Sequence, residues 1–293
     1  MYAIETENLT KYYKRSKGIE NVTLKVGKGD FFGFIGPNGA GKSTTIRTLL
    51  GLVKKTGGSA RVLGYDVGTA KDAPTLLRDV GYMPSEISFW SGMRVRDALK
   101  FSADLRGVDC KSAAAELCER LELDTNKKID SLSYGNKKKV GIVCALQHDP
   151  SLYILDEPTG GLDPLMQKEF FDILKERNEK GATVFLSSHV LSEVARYCKN
   201  AAIIRDGAIL VQKSVHELGH TGVKKVALQG LASPLSIELA RDVQIEGDRA
   251  KFLFSGTSKE LLTALSGVEF EDFTVSDPDL EEVFLHYYTK EEN

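Results

Sequence analysis

"FFGFIGPNGAGKST", residues 31–44, decides the fold of this 293-residue chain. "FFGFI" (31–35) is an unbroken apolar run, and the nine residues after it fit the spacing G-x-x-x-x-G-K-S/T. Ile46, Leu49, Leu50 and Val53 then recur at i, i+3, i+4 and i+7, which predicts a helix starting near Lys42. An apolar run without alternation predicts a strand covered on both faces, as in a parallel sheet. "LYIL" (152–155) and "ATVFL" (182–186) repeat that signal, whereas "VTLKV" (22–26) alternates like a half-buried strand. Met166, Phe170, Ile173 and Leu174 keep helical spacing behind an N-cap at Asp163 and Pro164, with Gly181 past the end. Strands alternating with helices give the α/β class.

The glycines of "GPNGAGKST" let the backbone wrap a phosphate so that its N–H groups point inward at a helix N-terminus. Gly36, Pro37, Asn38, Gly39, Ala40, Gly41, Lys42, Ser43 and Thr44 therefore form a nucleotide-binding loop. Lys42 is placed to hold the β and γ phosphates and the Ser43 hydroxyl to bind Mg2+. The strand "LYILDEP" (152–158) ends in two carboxylates. Asp156 at its C-terminal end can reach the Mg2+ held by Ser43, and Glu157 can then take a proton from attacking water. The guanine-reading motif N-K-x-D has only a near miss, "NKKID" at 126–130 within the helical stretch, which sets the GTPase class aside.

Between residues 87 and 150 helical, charged stretches such as "MRVRDALKFSADLRG" and "KSAAAELCERLEL" interrupt the alternation and suggest an inserted helical subdomain. "AAIIRDGAILV" (201–211) reads as a hairpin turning at Asp206-Gly207. Beyond residue 216, "KKVALQG", "RAKFLFSG" and "KELLTALSG" suggest a small α+β domain over 216–293, leaving 1–215 as the nucleotide-binding domain. The 42% hydrophobic and 27% charged residues are the balance of a globular protein, and a net charge of -2 gives no sign of a general polyanion binder. Glu5 and Glu7 fall where a secretory signal needs an apolar core, and no apolar run approaches the roughly 18 residues of a membrane helix. A cytoplasmic chain is expected. Four dispersed cysteines fit reduced, buried thiols.

"GPNGAGKSTT", "LSYGN" (132–136), "LYILDEPTGGLD" and "LSSH", in this order, closely resemble the ATP-binding subunits of ABC transporters over residues 1 to about 215. The resemblance implies a P-loop NTPase fold: a RecA-like core sheet, N-terminal antiparallel strands and the inserted helical subdomain. It implies that "LSYGN" corresponds to the L-S-G-G-Q signature, so that Ser133 and Gly135 reach the γ-phosphate held by a second copy of the chain. That gives "SLSYGNKKKV" (131–140) its purpose: a hydroxyl, a bare backbone and a helix N-terminus serve a phosphate on another molecule. Asp163 of "GGLD" matches the loop through which copies sense one another. His189 of "LSSH" matches the histidine that contacts the γ-phosphate and orients water. Tyr13 sits where an aromatic stacks on adenine, with Tyr12 as the competing candidate.

Two departures stand out. "GYMPSE" puts Ser85 where the family has a glutamine; serine is too short to touch Mg2+ and the coupling surface together, so the contact falls to its neighbour Glu86 or is absent. Tyr134 and Asn136 replace glycine and glutamine in the signature, while the phosphate-facing pair is kept. "KKK" (137–139) suggests a solvated helix face or support for the γ-phosphate, and nucleic acid is not expected. "EISFWSGMRV" (86–95), with Phe89 and Trp90, borders the groove that in the family receives a permease helix; the alternative is that both aromatics are core. The C-terminal "DPDLEEVFLHYY" (277–288) resembles the ATPases of bacterial exporters of antibiotics, bacteriocins and lipids. The resemblance thus implies a homodimer around two MgATP that powers export through a separate integral-membrane permease and sits peripherally on the inner face of the membrane. A soluble ABC protein acting on DNA or ribosomes is the alternative; such proteins carry a long coiled coil or two cassettes per chain, which this sequence lacks.

Overall fold

The computed structural model describes residues 1–14, 16–68, 73–219, 223–231 and 237–276; the exporter-like stretch 277–288 lies outside them. Two compact units result, Met1–Lys213 and Ser214–Asn293. In chain order the first unit runs β1 (Tyr2–Tyr13), β2 (Ser16–Gly27), β3 (Phe31–Ile35), α1 (Lys42–Leu49), β4 (Gly57–Val62), β5 (Tyr65–Asp66), α2 (Ala73–Asp79) and β6 (Val80–Met83). It continues through α3 (Val95–Arg106), α4 (Lys111–Arg120), a 3-10 turn at Ile129–Ser131, α5 (Tyr134–Leu146) and β7 (Leu152–Asp156). It closes with α6 (Pro164–Glu179), β8 (Thr183–Ser188), α7 (Leu191–Tyr197), β9 (Asn200–Arg205) and β10 (Ala208–Ser214).

A six-stranded sheet in the order β10-β9-β3-β8-β7-β6 carries the site. β3 pairs parallel with β8 and β9, and β7 parallel with β8 and β6. Every residue of β3, β7 and β8 is buried, as their unbroken apolar runs require. A four-stranded sheet, β2-β1-β4-β5, lies beside it; in β2 Val22, Leu24 and Val26 face inward while Thr23 and Lys25 face solvent. Ile4, Leu9 and Val62 from this sheet share one core with Phe32, Phe34, Ile46 and Phe185. Burying side chains of this size contributes roughly 1.5–3 kcal/mol each.

α1 is shorter than its periodicity suggests: it ends at Leu49, and Gly51 turns the chain at φ 70°, so Val53 lies beyond the helix. α6 starts as expected, with the Asp163 carboxylate accepting from the Met166 N–H at 3.0 Å and Pro164 in the first turn. Asp206 and Gly207 both have positive φ, 48° and 79°, the geometry of a tight hairpin turn between β9 and β10. That turn supports the site: the Gly207 N–H donates to the Ala40 carbonyl at 3.0 Å. α3, α4 and α5 fill the chain between β6 and β7, and α5 packs on both β6 and α3. Arg120 of α4 reaches Glu169 and Glu176 of α6 at 2.6 and 2.7 Å. Of the four free cysteines, Cys110, Cys118 and Cys198 are buried and Cys144 is half-buried.

The second unit begins with α8 (Val215–Gly219) and continues with β11 (Val223–Gln229), β12 (Ala240–Glu246), β13 (Arg249–Ser255), α9 (Ser258–Leu265) and β14 (Asp272–Ser276). Its antiparallel sheet, ordered β12-β13-β11-β14, has a core of Val226, Leu228, Phe252, Phe254, Leu261 and Leu265. Among the described residues no helix is long and apolar enough to cross a membrane.

Candidate functional site

The loop from Gly36 to Gly41 leaves the C-terminal end of β3 and delivers the chain into α1. Gly41 occupies the helix N-cap in the left-handed region, φ 105°, and a Cβ there would stand 2.8 Å from Ile19 Cγ2, so only glycine fits. No side chain caps α1, leaving its first N–H groups turned to the loop. Lys42 is 5% exposed, and its ammonium donates to the Gly36 and Pro37 carbonyls at 2.6 and 3.1 Å. It also pairs with Glu157 Oε1 at 3.0 Å.

Glu157 follows directly on β7. Its φ is 49°, a left-handed conformation that costs a non-glycine residue on the order of 1–3 kcal/mol and gathers at functional sites. Its N–H donates to the Ser187 carbonyl of β8 at 3.1 Å. Its carboxylate lies between Lys42 on Oε1 and His189 Nδ1 on Oε2, the latter at 2.6 Å. His189, just past β8, is otherwise 54% exposed. Thus three of the expected residues, from three separate segments, meet at one carboxylate.

Asp156 is wholly buried. Its Oδ1 accepts from Ser187 Oγ at 2.6 Å, while Oδ2 finds no partner among the described residues. A buried carboxylate oxygen left without a donor is suited to accept a cation. Ser43 opens into the adjacent pocket, and a hydroxyl plus a carboxylate oxygen are hard ligands of the kind Mg2+ takes, with phosphate and water completing its shell. Tyr82 on β6 has its phenol pKa raised, first by burial and then by the charge of Asp156.

A pocket of about 260 Å³ opens over the loop, lined by Pro37, Asn38, Gly39, Gly41, Lys42, Ser43, Thr44 and Glu157, with Tyr13, Lys17 and Gly18 at one side. Gly36 and Ala40 supply the loop's buried backbone below it. Tyr13 is 43% exposed there, whereas the Tyr12 hydroxyl is tied to Glu20 at 2.6 Å, so of the two it is Tyr13 that lines the pocket. A larger hollow of about 750 Å³ between α3 and α4 contains none of these residues; the loop backbone with Lys42 and Glu157 lies at the smaller one.

The remaining candidates lie elsewhere on the chain. Ser133 caps α5, its hydroxyl accepting from the Asn136 N–H at 3.3 Å. Gly135 lies against the Gly161 carbonyl, and the Tyr134 ring stacks over Gly161. Ser133, Gly135 and Asp163 line no part of the pocket formed by their own chain. Ser85 is half-buried and Glu86 exposed. Trp90 is 64% exposed, edge-on to Phe101 at 4.9 Å, and so is not core; Phe89 is half-buried. The lysine run is not a solvated face: Lys138 and Lys139 are 2% and 7% exposed. Lys138 donates to the carbonyls of Ser85 and Glu157 at 2.8 and 2.9 Å, a contact that a charged run on a helix gives no sign of.

A glycine-rich loop between a buried parallel strand and a helix, with an acid-terminated strand beside it, defines a P-loop nucleoside triphosphatase. A family profile described as "ABC transporter" matches residues 19–160. The chain is 33% identical to the bacitracin transport ATP-binding protein of Bacillus licheniformis, across 96% of both chains. It is 30% identical to the linearmycin resistance ATP-binding protein of Bacillus subtilis, across 97% of both. Among solved structures, an ATP binding subunit of an ABC transporter superposes with a TM-score of 0.69 at 31% identity, covering 74% of this chain and 91% of that one. A bacterial ABC transporter cassette solved as a dimer gives 0.64 at 26% identity, covering 72% and 98%. The chain belongs to the ABC transporter family as one of its ATP-binding subunits, and it hydrolyses ATP to drive transport.

Proposed function

We propose that two copies of this chain close head to tail around two molecules of MgATP and drive export of an antibiotic-like amphiphile through a separate membrane permease. The observation that carries it is Glu157, held between the Lys42 ammonium and His189 Nδ1 at the mouth of a phosphate-sized pocket. Lys42 and Glu157 neutralise each other across 3.0 Å. An arriving β,γ-phosphate draws Lys42 away, and the released carboxylate becomes a base oriented by His189. Water attacks the γ-phosphorus, its proton passes to Glu157, and the bond to the β,γ-bridging oxygen breaks to give ADP and phosphate. Ser43 and Asp156 would hold Mg2+, which when bound neutralises charge on the phosphates.

Ser133 and Gly135 stand apart from their own pocket at the exposed N-terminus of α5, which suits them to a γ-phosphate held by the other copy. Asp163 begins α6 beside Gly161, against which Gly135 packs, so signature and sensing loop move together. Shifting a pair from 1:99 to 99:1 closed requires about 5.5 kcal/mol of preferential binding, or about 2.75 from each ATP. The segment 86–95, with Trp90 exposed, suits a permease helix, which would hold the chain at the inner membrane face. Export of an antibiotic-like cargo rests on the likeness to the bacitracin and linearmycin proteins. Removing the base costs on the order of 10² to 10⁴ in rate. Glu157→Gln should therefore accumulate ATP-bound dimers on gel filtration with MgATP, and monomers alone would contradict the proposal.

A further inference from the structure

Lys138 is a buried cation doing something its sequence context conceals. Its ammonium has three N–H donors; two go to the carbonyls of Ser85 and Glu157, and the Tyr134 ring lies 5.9 Å away. An ammonium 2% exposed is tolerated only where its donors are used and opposite charge lies near. Asp156 and Glu157 supply that charge; burial lowers the lysine's pKa and their carboxylates oppose the change.

The acceptor at Glu157 is the informative one. Glu157 holds a left-handed φ of 49°, and both of its backbone groups are engaged: its N–H by the Ser187 carbonyl, its C=O by Lys138. A strained residue persists only when its surroundings over-determine it. With the Lys138 bond removed, Glu157 is free to relax toward negative φ, which swings its carboxylate off the line between Lys42 and His189. The second acceptor, Ser85, stands in the segment where the family's glutamine is missing, so here the link runs through backbone and ammonium.

We propose that Lys138 is a positioning residue that locks the Glu157 backbone in its working conformation and ties it to both the Ser85 segment and helix α5. This rests on reading Glu157 as the base. A shift of α5, whose N-terminus carries Ser133, or of the loop at Ser85 reaches the carboxylate through one ammonium.

The test uses the full-length chain and three variants: Lys138→Met, which keeps the stem and removes charge and donors; Lys138→Arg, which keeps charge and two or more donors; and Lys138→Gln. Lys138→Met should lower kcat on the order of 10- to 100-fold, the scale of a misplaced catalytic group. KM for MgATP should stay within about twofold, because ground-state binding is untouched. Lys138→Arg should recover most of kcat even if its Tm falls, a separation that a merely structural role would not produce. Unchanged kcat in folded Lys138→Met overturns the proposal, as does a loss of kcat in Arg and Met alike. If Lys138→Met does not fold, Lys138→Gln is judged by the same split of kcat from KM. Glu157→Gln is the control: if it keeps turnover, the reading of Glu157 as base falls. If it abolishes turnover while Lys138→Met does not, the positioning role alone falls.

Discussion

Gly135→Ala adds one methyl group where two backbones already touch. The new Cβ would stand 2.5 Å from the Gly161 carbonyl oxygen, about 0.9 Å inside the 3.4 Å at which ordinary contact begins. Both partners are backbone, so no rotamer change relieves the clash; the loop at Gly161 or the first turn of α5 must shift by most of that distance. Overpacking of this kind costs about 1–3 kcal/mol. Alanine recovers about 1 kcal/mol over glycine within a helix, so the fold should survive with a net loss of about 0–2 kcal/mol. Function should suffer far more, because the shift displaces the signature tip and the loop leading to Asp163 together. A misplacement near 1 Å can cost on the order of 10²-fold in rate. Steady-state ATPase measurements should show that loss. Titration with a fluorescent ATP analogue should show unchanged affinity for the monomer, whose pocket contains neither residue. Turnover at the wild-type rate would refute the reasoning, and so would a proportional loss of monomer affinity.

Tyr13→Ala should weaken ATP and GTP alike by about 1–3 kcal/mol, since stacking does not discriminate bases; Tyr12→Phe, which only releases Glu20, should leave both affinities unchanged, and the reverse ranking in a fluorescence titration would reassign the ring. His148 should make the protein acid-sensitive. Burial first, then the Arg106 charge, pushes its pKa down from 6.5 to about 4. The unfolded chain therefore takes up this proton below about pH 6.5 while the folded chain refuses it until about pH 4. Stability should fall by about 2 kcal/mol from pH 7 to pH 5 on this account and level off below pH 4. Urea unfolding of His148→Gln should show a pH dependence smaller by that amount, and an identical dependence would remove His148 as the cause.

The phosphate loop and the acid-terminated strand are legible in the sequence because their function needs consecutive residues. Gly36 to Thr44, and Asp156 with Glu157, carry their geometry in their spacing, and the covered strands show as unbroken apolar runs. Asp163 was equally legible, as an N-cap followed by proline. Lys138 was not, because its partners lie 53 and 19 residues away. A lysine between two others carries no mark of burial. The choice between Tyr12 and Tyr13 likewise depended on Glu20, across the β1–β2 hairpin. The apolar periodicity runs past the end of α1 because Val53 stays in phase with Ile46, while Gly51, not the apolar pattern, ends the helix.

The central claim is that each ATP is held by the loop of one copy and the signature of the other. Mixing two inactive variants tests it directly: Lys42→Ala, which lacks a working loop, and Ser133→Arg, which lacks a working signature. In a head-to-tail pair the loop of the second faces the signature of the first, so half the pairs in an equal mixture carry one intact site. ATPase activity should return to about one quarter of the wild-type level. No recovery from variants that still pair, or full activity of Ser133→Arg alone, would contradict the shared site.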